Sequence, residues 1–213
     1  MKNLLTTLSV FLFVPLLACG QAVGETYVEG ENYDLINPPV RTSDPDKVEV
    51  VEFFWYGCGH CYNFEPLLEV WKETLPADVD FRGSPAMWNE TMELHARAFY
   101  AAEVLGVLDE MNPVIFQAMN VDKKRLASEG EIEALFVANG VSAEDFSKAF
   151  NSFGVSSQVN QAAARARSAK ITGTPAMMVN GKYHISSRKA GSQADMLKVA
   201  DFLIAKEQAA AQN

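Results

Sequence analysis

The stretch from Val48 to Pro66 constrains this chain more than any other. Val48 to Phe54 is dense in Val and Phe, the composition of a strand buried on both faces. The run stops at Gly57, and a Cys-x-x-Cys pair, Cys58 and Cys61, opens the next segment. The pattern predicts strand, turn and helix, with Cys58 in the first helical turn. There, unpaired backbone N–H groups and the positive end of the helix dipole stabilise a thiolate and lower its pKa. Cys61 then lies one turn on, within disulfide reach. The pair reads as a redox dithiol, Cys58 the exposed attacking member and Cys61 the inward, resolving one.

Two other readings compete. Half of a zinc site would need further ligands, and the remaining candidates, Cys19, His60, His95 and His184, show no paired spacing. A purely structural bridge over so short a loop would remove little unfolded-state entropy. Redox chemistry explains the pair better than either.

The length of 213 residues fits one domain, or one carrying a large insertion, and 48% aliphatic and aromatic content supplies a sizeable core. A net charge of -9 argues against a nucleic-acid partner. Lys2 followed by an apolar run from Leu4 to Leu17 reads as a secretion signal, too short for a spanning helix. Two processing routes stand open. Cleavage after Ala22 leaves Val23 first, whereas Leu16-Leu17-Ala18-Cys19 resembles a lipobox and would leave a lipidated Cys19. Either way the mature chain works outside the cytoplasm, where disulfides persist.

Tyr27 to Gly30 and Tyr33 to Ile36 suggest a short edge hairpin, followed by a proline-marked loop. The cysteine helix is expected to run to Leu75-Pro76, kinked at Pro66, with a second core strand over Asp78 to Phe81. Four helical segments then follow without a strand between them. Their signals are Asn89 as a cap, Asn112-Pro113 as a cap and first-turn proline, the capping box Ser128-x-x-Glu131, and Ser142. A further helix is expected after Gly154. Ala176 to Val179 and Lys182 to Ile185 flank Asn180-Gly181, a strong hairpin signal. Ser192 caps a last helix, with the tail beyond Glu207 expected to fray.

The cysteine motif with Pro66 eight residues after Cys58, then Thr174-Pro175 before a hairpin and terminal helix, resembles the thioredoxin fold. With the helical insertion and export signal it resembles the DsbA family, on Val51-Glu52-Phe53-Phe54, Phe64-Glu65-Pro66 and Gly173-Thr174-Pro175-Ala176-Met177. One departure is the Gly59-His60 pair, where DsbA proteins commonly carry Pro-His; it is the pair of protein disulfide isomerase, and it leaves the redox potential open.

The resemblance implies an α/β thioredoxin fold: a signal over residues 1–22, a thioredoxin-like domain from 23–84 and 152–213, and an inserted helical subdomain over 85–151. It implies a thiol:disulfide oxidoreductase that needs no metal or organic cofactor and gives its disulfide to reduced, newly exported proteins. It further implies a periplasmic monomer reoxidised by a quinone-linked membrane oxidase of the DsbB type. His60 would stabilise the Cys58 thiolate by charge or hydrogen bond, and a cis Pro175 would set Thr174 backbone groups beside the disulfide to pair with a peptide. Glu52 would exchange a proton with Cys61, with Glu65 tuning the same region. Trp55, Tyr56, Met87 and Trp88 would line an apolar peptide groove. An isomerase or reductase on the same fold, and a peptide-binding chaperone without turnover, are the alternatives.

Overall fold

The computed structural model describes residues 26–211; the expected signal segment and Cys19 lie outside them. The chain forms β1 (Asp34–Leu35), β2 (Val48–Phe54), α1 (Gly59–Lys72) and β3 (Val79–Pro85). Five helices follow: α2 (Glu90–Leu105), α3 (Leu108–Asn120), α4 (Glu129–Ala138), α5 (Ala143–Phe150) and α6 (Phe153–Ser168). The chain closes with β4 (Ala176–Val179), β5 (Tyr183–Ser186), α7 (Ser187–Ala190) and α8 (Gln193–Ala211).

The sheet order is β1-β5-β4-β2-β3, with β2 parallel to β3 and antiparallel to β4. Every residue of β2 is buried, as its composition requires of an interior strand. Alternation then splits its side chains between two layers. Val50 packs with Phe64, Leu68 and Trp71 of α1 and with Met196, Val199 and Leu203 of α8. Val51 and Phe53 face the other way, onto Ala166, Ile171 and Met178. Phe54, at the strand's end, belongs to a third cluster with Phe99, Phe116, Phe136 and Phe146 of the helices. The loop from Trp55 to Cys58 therefore leaves β2 where the sheet core meets the helical core. Helix α6 spans that junction, with Val155, Val159 and Ala162 in the helical cluster and Ala166 against the sheet.

Local signals account for most element ends. Side chains of Asn89, Ser128, Ser142 and Ser192 accept the backbone N–H three residues on. Asn180 and Gly181 both have positive φ, 49° and 66°, the geometry of a two-residue hairpin turn. Gly181 is also sterically required, because a Cβ there would sit 1.9 Å from the carbonyl oxygen of Val40.

Several expectations need correction. Asn112 and Pro113 do not start a helix: α3 begins at Leu108 and carries Pro113 inside it. Burial of Met111 together with Ile115 and Phe116 favours the longer helix, and the Asn112 side chain is engaged elsewhere. Helix α6 starts before Gly154, at Phe153, because Ser152 supplies the cap. Helix α1 stops at Lys72, short of Leu75, and the second core strand runs on to Pro85. The edge hairpin reduces to a single bridge between Glu29 and Tyr33, and its second arm continues as the two-residue β1, which pairs with β5. The tail is helical to Ala211, held by buried Glu207, whose carboxylate accepts from Asn180, Lys182 and Tyr183.

Candidate active site

Cys58 occupies the N-cap of α1, one residue earlier than a first-turn position, with extended backbone. Its Sγ accepts the N–H of Cys61 at 3.4 Å, and its own N–H donates to the carbonyl of Trp55 at 2.9 Å. Facing it from the loop before β4, the carbonyl of Thr174 lies 3.4 Å from Sγ, and the Thr174–Pro175 peptide bond is cis. Pro175 is buried and Thr174 half-buried.

The two cysteines are driven apart in acidity. Hydrogen bonding from the Cys61 thiol, then from the Thr174 side chain and the backbone N–H groups of Cys61 and His60, outweighs partial burial and takes Cys58 from the ordinary 9.0 down to about 5. Burial, then the Cys58 sulfur and Glu52, pushes Cys61 far up, so it stays a thiol. One member is poised as leaving group and the other must be protonated when it leaves.

Glu52 is 2% exposed in the middle of the sheet, between Met177 of β4 and Gly83 of β3. Its Oε1 has no hydrogen-bond partner among the described residues. Burial first, then the charge of Glu65, raises its pKa well above the usual carboxylate range. Glu65, on α1, is held at about 7 by burial and by Glu69, against a bond from Asn112 Nδ2 at 2.9 Å. Both carboxyls line a cleft of about 790 Å³ between α1, β3 and α3 that also meets Phe54, Tyr62 and Phe116.

The remaining expected residues divide. His60 is exposed, and it reaches Cys58 through its backbone N–H rather than its ring; its carbonyl accepts from Gln193 at 2.5 Å. Gly59 is not sterically forced, since a Cβ there would meet only Asn120 Oδ1 at 3.9 Å. Tyr56 does not line a groove. It is 1% exposed, edge-on to Phe54 and Phe116, with its hydroxyl donating to Asn112 Oδ1 at 2.9 Å. Met87 is half-buried against the helical core, and Trp88 is 53% exposed. Among the described residues no three His, Cys, Asp or Glu side chains are grouped as metal ligands would be.

Two residues of the site carry no usable signal in the sequence. Asn112 ties Tyr56 to Glu65 across the two cores. His95, which sequence suggests only as a metal ligand, is buried in α2; it accepts the Trp55 indole N–H on Nδ1 at 2.9 Å and donates from Nε2 to the carbonyl of Leu126 at 3.0 Å. Burial lowers its pKa and keeps it a neutral acceptor. Trp55 is thereby fixed across Gly57, where a Cβ would lie 2.4 Å from the indole.

Residues 67–199 match the DSBA-like thioredoxin domain family. The thiol:disulfide interchange protein DsbA of Pseudomonas aeruginosa is 39% identical over 211 residues, covering 99% of each chain. The chain belongs to the DsbA family. The DsbA of Pseudomonas syringae pv. tomato is 36% identical over 211 residues, covering 99% of this chain and 98% of the relative. The crystal structure of P. aeruginosa DsbA superposes with a TM-score of 0.85 at 41% identity, covering 88% of this chain and 97% of that one. The DsbA structure from Xylella fastidiosa gives 0.81 at 30% identity, covering 86% and 98%. Family membership makes the protein a thiol:disulfide oxidoreductase with the thioredoxin-like DsbA fold.

Proposed function

We propose that the protein is a dithiol oxidase that donates a Cys58–Cys61 disulfide to reduced, newly exported proteins in the periplasm. The observation that carries this is the network that favours thiolate at Cys58 beside a Cys61 held as thiol. A substrate thiolate attacks Cys58 Sγ; the Cys58–Cys61 bond breaks, and Cys61 leaves with the electron pair and takes a proton from Glu52. A second substrate thiolate attacks the substrate sulfur of the mixed disulfide and expels Cys58 as its stabilised thiolate. The substrate has lost two electrons and gained a disulfide, and the enzyme is the dithiol. An extended substrate segment pairs with the backbone of Thr174, which already faces the reacting sulfur.

Reoxidation by a quinone-linked membrane oxidase of the DsbB type completes the cycle, and the protein acts as a monomer. No described helix is long and apolar enough to cross a membrane. The test is oxidative folding of a reduced, unfolded protein by stoichiometric oxidised enzyme. Rapid disulfide formation in the substrate with matching loss of the enzyme disulfide is expected; faster reshuffling of scrambled disulfides than oxidation of thiols would contradict the assignment.

Glu52 offers a separate check, because an unpartnered buried carboxyl costs stability while serving the proton step. Glu52→Leu is expected to stabilise the fold by about 1–3 kcal/mol in urea unfolding. The same change is expected to slow formation of the mixed disulfide by about tenfold or more, through loss of the acid for Cys61. Destabilisation with an unchanged rate would remove Glu52 from the mechanism.

A further inference from the structure

A second cleft, of about 670 Å³, includes Gly173, Thr174 and Pro175 and is bounded by β1, β5, α7 and the end of α6. Its charge is opposite to that of the chain. Lys170, Arg188 and Lys189 line it, and its single lining carboxylate, Asp34, is paired with Lys189 Nζ at 2.5 Å. Lys170 Nζ donates to the neutral carbonyl of Asn37 at 3.1 Å, and no carboxylate pairs with it among the described residues. Arg188 is exposed, and no carboxylate pairs with it among the described residues. His184 adds no charge near neutrality, because burial lowers its pKa. Two cations are thus left over in one cleft of a protein whose net charge is -9. The cleft along α1 and α3 has the other sign at its rim, with Glu65, Glu69, Glu103 and Asp109 against Lys72 and Arg82.

Resting on the oxidase reading, we propose that the Arg188 cleft is a substrate subsite for acidic side chains flanking the reacting cysteine. Thr174 joins the cleft to the nucleophile, its carbonyl being 3.4 Å from Cys58 Sγ. A strand advances about 3.3 Å per residue and sends alternate side chains to one face. An extended segment paired with Thr174 therefore carries alternate side chains on one side of its cysteine towards the basic cleft that Thr174 also lines. Charge complementarity of this kind acts chiefly on encounter and register. The preference is directional, since acidic residues on the other flank gain nothing from Arg188.

Reduced single-cysteine peptides test this against the oxidised protein at low salt, by the rate of mixed-disulfide formation. The set carries Asp pairs before the cysteine, Asp pairs after it, Lys pairs at each position, and an Asn reference. One Asp placement is expected to react about five- to tenfold faster than the Asn peptide, and salt should erase the gain. Arg188→Gln should abolish the preference, and Arg188→Glu should invert it towards Lys at the same position. Lys148→Glu, the same kind of charge reversal at an exposed position of α5, should leave the preference intact. Equal rates for both Asp placements, or equal effects of the changes at Arg188 and Lys148, would overturn the subsite and reduce the effect to net charge. Failure of even the Asn peptide to form a mixed disulfide at Cys58 would instead defeat the oxidase reading.

Discussion

Cys61→Ala is expected to accumulate protein–substrate mixed disulfides, whereas Cys58→Ala accumulates almost none and loses oxidase activity altogether. The asymmetry follows from placement. Cys58 is partly exposed at the helix N-cap facing Thr174, while Cys61 is fully buried one turn on. Only the first can be reached by a substrate sulfur, and only the second can attack the captured adduct from inside. Without Cys61 the variant has no disulfide of its own to give, so its adducts form when the Cys58 thiolate attacks a disulfide already present in an exported protein and expels one of its sulfurs; no internal thiol is then left to displace the captured chain. Non-reducing gels of cells expressing each variant supply the measurement, with alkylation to freeze exchange. Equal yields from the two variants would reverse the assignment of nucleophile and resolving thiol.

The second large effect is on stability. Cys58 has its pKa lowered on folding from about 9 to about 5, so the native reduced state binds fewer protons there than the unfolded state between those values. A depressed folded value contributes stability that is fully present above the unfolded pKa and is lost as pH falls through the folded one. The contribution is therefore absent below about pH 5, grows through neutrality, and levels off near pH 9. At pH 7 it would amount to about 2.7 kcal/mol unscreened; discounted for the half-exposed sulfur, about 1–2 kcal/mol is expected. Glu52 and Glu65 act in the opposite sense, their raised values favouring the fold at low pH. The comparison must therefore cancel them. Reduced protein and reduced Cys58→Ser are unfolded in urea at about pH 4 and about pH 8, and the difference between them should widen at the higher pH. A difference independent of pH would mean that the fold does not favour the thiolate.

The redox pair, the cysteine helix, the hairpin and most helix caps were legible because each rests on a local rule: two spaced cysteines, Asn-Gly, or a polar residue three before the N–H it caps. What escaped was decided by contacts distant in sequence. Asn112-Pro113 looks like a helix start by itself, yet Asn112 is drawn to Tyr56 and Glu65, and the burial of Met111 extends α3 backwards. Tyr56, beside the cysteines, fits a groove wall or the core equally well by sequence, and it is core because the helices close over β2. His95 is forty residues from Trp55, and no pattern connects them. Glu52 could be singled out from its apolar strand, but its missing partner and its cleft are properties of the assembled sheet.

Disulfide donation turns on the acidity of Cys58, and titration of the reduced protein by ultraviolet thiolate absorbance reads it directly. The expected result is one transition, with the amplitude of a single thiolate, centred at about 5, and no second one while the protein stays folded. A lone transition near 9.0, the ordinary value, would contradict it and leave the Cys58–Cys61 pair without the property that makes its disulfide easy to give away.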